Sequence, residues 1–298
     1  MFTGSLVAIV TPMRPDGSID PLAWDALLDW HLAAGTSGIV IGGTTGESVT
    51  LGDAELATLV ERARARLRGR LPVIAGVGGS STAAVAERVR ALGASGADAL
   101  LVVTPAYNRP TQEGLYRHFA AAATASSLPL VLYNVPSRTA VDLLPETVGR
   151  LAKLPRVVAV KEAVASIDRI RDLVAACGTA FDVLSGDDAT AREAVAAGAR
   201  GVISVTANVA PEAMARMLAA ALRGEQAEAA RIDAGLAALH QALFVEANPI
   251  PVKWALAELG RIPAGIRLPL TELSAEQQPV VRRALEAAQL LRTTAVRA

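Results

Sequence analysis

Eight short apolar runs, about 20–35 residues apart, constrain this chain more than any other feature. They are LVAIVT (6–11), GIVIGG (38–43), PVIAGV (72–77), ALLVVT (99–104), LPLVLYN (128–134), VVAVK (157–161), FDVLSG (181–186) and GVISVT (201–206). Each is continuous rather than alternating, as in strands buried on both faces of a parallel sheet. Helical patterns with recognisable ends lie between them. Asp20-Pro21 opens one that Gly35 closes; Ser81 or Thr82 can cap another that stops near Gly93; Ser166 can cap a third that stops near Gly178. Eight strand–helix alternations point to an α/β fold, a (β/α)₈ TIM barrel, rather than an open doubly wound sheet. No G-x-G-x-x-G follows the first run, which argues against dinucleotide binding. The barrel is expected over 1–224, closing at Gly224, with about three further helices over 225–298 packed on it. Asn248-Pro249, ahead of PVKWALAELG, marks the start of one of these.

Composition removes several function classes. The 298 residues carry 29 Lys+Arg against 29 Asp+Glu, scattered without a basic stripe, so no nucleic-acid partner is expected. The single cysteine, Cys177, excludes an internal disulfide. His31, His118 and His240 have no metal-ligand spacing, so no metal is expected. The opening MFTGSLVAIVTPM lacks a basic n-region and is too short to span a bilayer. The expectation is a cytoplasmic protein without membrane contact.

The chain has only three lysines, Lys153, Lys161 and Lys253; its other basic residues are arginines. Arginine does not lose its proton in a protein, whereas a desolvated lysine can. Barrel active sites lie at the carboxyl ends of the strands. Those ends read GGTTGE (42–47), TPAYNRP (104–110), YNVPSRT (133–139), KEA (161–163), SGDD (185–188) and SVTAN (204–208). Lys153 precedes its strand and falls on the opposite face, while Lys253 reads as a surface or packing lysine of the extra helices. Only Lys161 points into the mouth. Glu162 is a poor salt-bridge partner for it, because adjacent strand residues face opposite ways. A neutral lysine attacks ketones to form a Schiff base, an electron sink for making or breaking C–C bonds.

Two of the three tyrosines, Tyr107 and Tyr133, lie just beyond barrel strands, where a phenol can shuttle protons. The amides and hydroxyls of GGTTGE suit a carboxylate, and Arg138 suits a bidentate clamp at the same mouth.

GGTTGE, TPAYNRP, YNVPSRT, VVAVKEA, SGDD, GVISVTANV and FVEANPIPVKWAL together resemble the dihydrodipicolinate synthase (4-hydroxy-tetrahydrodipicolinate synthase) family, over about residues 1–292. This family falls among the pyruvate-dependent class I aldolases. The resemblance implies that Lys161 forms a Schiff base with pyruvate, whose enamine attacks L-aspartate-4-semialdehyde on the diaminopimelate route to lysine. It implies a proton relay of Tyr133, Thr44 and Tyr107, with Tyr107 reaching in from a neighbouring subunit of a homotetramer, a dimer of dimers. Thr45 and its adjacent amide would hold the pyruvate carboxylate, and Arg138 that of the semialdehyde. Gly186 and Ile203 would line the pyruvate pocket through their backbones. No cofactor is implied. Where lysine-inhibited members carry polar side chains, this chain has Asp53, Leu56, Ser80, Ala84 and Ala106, so feedback by L-lysine is expected to be weak or absent.

The rival readings are a sibling aldolase, such as N-acetylneuraminate lyase or a 2-keto-3-deoxy sugar acid aldolase, and a non-catalytic keto-acid sensor. Arg138 argues against the siblings, because a sugar acid calls for hydroxyl-binding side chains. Intact Lys161, Tyr133, Thr44 and Tyr107 argue against the sensor.

Overall fold

The computed structural model describes residues 1–291, and in it the eight apolar runs become eight strands closed into one barrel in chain order. They are β1 Gly4–Ala8, β2 Gly38–Ile41, β3 Val73–Val77, β4 Ala99–Val103, β5 Leu130–Asn134, β6 Val157–Glu162, β7 Asp182–Ser185 and β8 Gly201–Ser204. Each pairs in parallel with the next, and β8 returns to β1. Alternation along the strands sorts the side chains into two layers. Leu6, Val40, Ile74, Leu101, Val131 and Leu184 fill the interior, while Val7, Ile39, Leu100, Leu132, Val160 and Val183 face the helices.

The alternation breaks once. Leu130 pairs with Val157, but Val131 pairs with Ala159, which leaves Val158 as an extra residue in β6. Val157 packs in the outer layer, whereas Val158 and Ala159 both pack against the interior one. Val160 then faces out again and Lys161 faces in.

The caps fall where the sequence places them. The Asp20 carboxylate accepts from the amides of Leu22 and Ala23 at the start of helix Pro21–Ala33. Ser81 caps Thr82–Leu92 and Ser166 caps Ile167–Cys177, each contributing on the order of 1 kcal/mol.

Helix Pro211–Leu222 completes the alternation, and Gly224, at φ +79°, turns the chain away. Among the described residues three helices follow: Gln226–Ala242, Ile250–Glu258 and Gln278–Ala287. The first packs along Pro211–Leu222 and the third contacts the other two. Their buried Leu236, Leu239, Val252, Leu256 and Leu285 belong to the same apolar core as the outer layer of the barrel. The end of the expected C-terminal region, residues 292–298, lies outside the described residues.

The histidines stand on three different helices, each with Nδ1 at a threonine hydroxyl. His31 meets Thr36 at 3.0 Å, His118 meets Thr82 at 2.9 Å and His240 meets Thr206 at 2.9 Å. Burial holds His31 well below the usual imidazole range, at about 3. No helix among the described residues is long and apolar enough to cross a membrane.

Candidate active site

The β5–β6 ladder sets Tyr133 directly opposite Lys161. Both side chains face the barrel interior at its carboxyl end, and Lys161 is only 6% exposed. Its Nζ sits 4.4 Å from the centroid of the Tyr133 ring. Gly186, beyond β7, closes the other flank: a Cβ there would lie 3.0 Å from Lys161 Cε. Ile203, buried on β8, belongs to the same interior layer as Tyr133.

The next pair along the ladder, Asn134 opposite Glu162, faces outward and braces the first from behind. Asn134 Nδ2 donates to both Glu162 carboxylate oxygens, at 3.1 and 3.0 Å, and to Asp142 at 2.8 Å. The amide of Val164 donates to Glu162 at 2.8 Å. Burial nevertheless pushes the Glu162 carboxyl above the usual range. Glu162 is thus committed elsewhere, and Lys161 has no carboxylate partner among the described residues.

The GGTTGE turn roofs this floor. It sits so close to β3 that a Cβ on Gly76 would fall 2.1 Å from the Gly42 carbonyl oxygen, so position 76 requires glycine. The amides of Gly46 and Ser48 donate to Gly43 O and that of Glu47 to Thr44 O. Those of Thr44 and Thr45 donate to no carbonyl among the described residues. Thr45 is buried and Thr44 half-buried. Two free amides beside two hydroxyls form an anion-binding concavity.

The C-terminal helices reach the same turn. Asn248 Nδ2 donates to Thr45 Oγ1 at 3.0 Å, and Arg138 Nη2 donates to the Asn248 carbonyl at 3.1 Å. Lys253 is a correction to its sequence reading. It is no surface lysine but 4% exposed, ion-paired with the equally buried Glu47. Burial lowers the Lys253 ammonium while Glu47 opposes that shift. Arg267 strengthens the junction. Its amide donates to Glu47 at 3.1 Å and its guanidinium to Thr50 O at 2.7 Å. Its bonds to Glu55 hold that carboxyl down at about 2.

Sequence reasoning singled out Lys161, Tyr133, Thr44, Thr45, Arg138, Gly186 and Ile203, and the fold places these residues around one mouth. It gave no role to Asn248, Glu47 or Lys253. A signal was present: a glutamate ending a Gly/Thr turn, and a lysine inside the apolar run IPVKWALA. Tyr107 is the residue the chain does not bring in. It stands 93% exposed on the loop after β4, at φ +77°. The one thiol, Cys177, lies on an outer helix, and burial pushes it up to about 11. Among the described residues no cluster of His, Cys, Asp or Glu could hold a metal.

The fold and this mouth define a (β/α)₈ barrel of the class I aldolase type, built round a buried amine, Lys161, that has no carboxylate partner among the described residues. The model of the "Dihydrodipicolinate synthetase family" matches residues 1–288. The 4-hydroxy-tetrahydrodipicolinate synthase of Alkalilimnicola ehrlichii is 55% identical over 288 residues, covering 97% of this chain and 99% of that one. Among solved structures, the chloride-inhibited dihydrodipicolinate synthase of Acinetobacter baumannii, complexed with pyruvate, superposes with a TM-score of 0.96. It is 47% identical, over 98% of this chain and all of that one. The enzyme of Cyanidioschyzon merolae, solved with lysine bound, gives 0.93 at 37% identity, over 97% and 99% of the two chains. The chain belongs to the dihydrodipicolinate synthetase family.

Proposed function

We propose that this protein is a lyase, 4-hydroxy-tetrahydrodipicolinate synthase, joining pyruvate to L-aspartate-4-semialdehyde. The observation that carries this reading is the buried Lys161 amine facing Tyr133, beneath the free amides of the GGTTGE turn. Lys161 attacks the pyruvate ketone, and water leaves as the imine forms. Loss of a methyl proton gives the enamine, whose terminal carbon attacks the aldehyde of the semialdehyde. The aldehyde oxygen takes up a proton and becomes the hydroxyl. The semialdehyde's amino group then adds to the imine carbon and displaces Lys161, closing the ring and restoring the free amine.

Tyr133, with Thr44 and Tyr107, moves the protons that these steps require. Thr45 and its adjacent amide hold the pyruvate carboxylate against the backbones at Gly186 and Ile203. Arg138, anchored by one nitrogen, presents the rest of its fork to the semialdehyde carboxylate. Tyr107 serves the mouth of a neighbouring copy in a homotetramer. Its 93% exposure supports this, as does the 92% exposure of Val49 on the GGTTGE side of the same mouth, two large side chains left for a partner to cover.

Incubation with pyruvate followed by borohydride tests the reading. The expected result is a reduced adduct on Lys161, with turnover on aspartate semialdehyde far above that on sialic acid or keto-deoxy sugar acids. No adduct would remove every lysine-aldolase reading, and preference for a sugar acid would select a sibling activity.

Feedback is expected to be weak. Ser80 Oγ donates to Ala106 O at 2.8 Å and Asn108 Nδ2 to Ser80 O at 3.0 Å, while Asp53 pairs with Arg88 at 3.3 Å. These polar groups are occupied by one another, and Leu56, Ala84 and Ala106 offer no polar side-chain atom to an amino acid. Initial rates at millimolar L-lysine should stay within about twofold of the uninhibited rate, below the fivefold where allosteric couplings usually begin. Strong inhibition at sub-millimolar lysine would contradict this.

A further inference from the structure

A threonine hydroxyl has one proton to give and two lone pairs to receive with. At Thr45 one lone pair is filled by Asn248 Nδ2, 3.0 Å away. Both residues are buried, at 2% and 6% exposure, so bulk water does not compete for the hydroxyl. Because an N–H faces it from that side, its own proton must be directed elsewhere.

The donor is held firmly. Five residues beyond Asn248, Lys253 is paired with Glu47, which lies two residues beyond Thr45. The Asn248 carbonyl accepts from Arg138, so the segment is tied to the loop after β5 as well. A strand-poor stretch outside the barrel thus supplies a side chain to the mouth that none of the eight strands provides.

We propose that Asn248 is a positioning residue whose side-chain amide commits the Thr45 hydroxyl proton to the carboxylate of the bound keto acid. The inference rests on the reading of Thr45 as a carboxylate holder. An acceptor in place of Nδ2 would claim that proton for itself. Asn248→Asp makes this change at nearly constant size and adds a negative charge beside the ligand carboxylate.

The test is steady-state kinetics on both substrates, joined to borohydride trapping with pyruvate and with acetone, a ketone lacking the carboxylate. Asn248→Asp is expected to raise the pyruvate KM by about tenfold or more, the scale of one hydrogen bond to a charged group. kcat and the KM for the semialdehyde should change by less than about threefold, because Arg138 is held by the main-chain carbonyl rather than the side chain. Trapping by pyruvate at sub-saturating concentration should fall in parallel, while trapping by acetone stays near wild type. Asn248→Ala, which removes the donor without adding an acceptor, should lie between the two.

An unchanged pyruvate KM in Asn248→Asp would overturn the proposal, and so would an equal loss of trapping with acetone, the signature of a merely deformed barrel. If the aspartate variant does not fold, the pyruvate-to-acetone comparison in Asn248→Ala decides on the same terms. Thr45→Val separates this inference from the reading beneath it. If Thr45→Val leaves pyruvate binding unchanged, the carboxylate role of Thr45 falls and the role of Asn248 with it. If Thr45→Val weakens pyruvate and Asn248→Asp does not, only Asn248 loses its role.

Discussion

Replacing Lys161 with arginine is expected to lower kcat by at least about 10³-fold and to abolish the borohydride adduct, the scale of losing a covalent nucleophile. Arginine keeps the positive charge and much of the length. It cannot lose its proton in a protein, so it cannot attack a ketone. The flank at Gly186 also leaves little space for a guanidinium, since even a Cβ there would sit 3.0 Å from Lys161 Cε. Lys161→Met removes this steric ambiguity and should be equally inactive. Its melting temperature should match or exceed that of the native protein, because the amine is buried with no carboxylate partner among the described residues and its desolvation is a cost. Assays at saturating substrate, adduct mapping by mass spectrometry and thermal unfolding read the three outcomes. Retention of a tenth of the activity by Lys161→Arg would end the Schiff-base reading.

Loss of one partner of the Lys253–Glu47 pair should produce the largest stability effect in the molecule. Lys253→Met is expected to cost about 3–5 kcal/mol, because it strands an uncompensated carboxylate in the interior. Glu47 is 2% exposed and held at φ +59°, so it cannot swing out to water without unmaking the turn. Lys253→Met combined with Glu47→Gln should recover most of that loss. The amide oxygen of glutamine can still accept from the Arg267 amide, and neither charge of the pair remains. Denaturant titrations of the single and double variants measure both quantities. A single-variant loss below about 1 kcal/mol would mean that water reaches the site and screens the pair. The single variant should also lose affinity for pyruvate, because Glu47 closes the turn that carries Thr44 and Thr45.

The barrel was legible because a strand buried on both faces leaves a continuous apolar run, and all eight runs became strands within a few residues of their ends. Lys161 was legible because arginine does the ordinary charge work in this chain, and a lysine at a strand's carboxyl end therefore stood out. That Glu162 faces away from Lys161 followed from alternation between neighbours, whereas which of the two faces inward depends on the extra residue at Val158. The ion pair of Lys253 was missed for a reason of distance. Its partner lies 206 residues earlier in the chain, and an apolar helical context is equally compatible with a lysine whose stem packs and whose head reaches water. Asn248 carried no sign of its contact with Thr45, since an Asn-Pro step ahead of a helix already has a sufficient local explanation. Tyr107 was legible only as a tyrosine just beyond a strand, and its side chain turns out to leave its own barrel.

The extra residue at Val158 has a consequence for what kinds of change β6 can absorb. Counted from Val157, which faces the helices, an unbroken strand would turn the fifth residue outward as well, and that residue is Lys161. The doubled step at Val158 and Ala159 reverses the parity and aims the amine inward. Substitutions among these valines and alanines alter volume, which a core can partly absorb. A one-residue insertion there would instead exchange the fates of Lys161 and Glu162, placing a carboxylate in the mouth and an amine against the helices. In this strand an added residue is under tighter constraint than a changed one, whereas loss of Val158 would leave a regular ladder with Lys161 still facing inward. Homologous β6 segments should therefore not be longer by one residue.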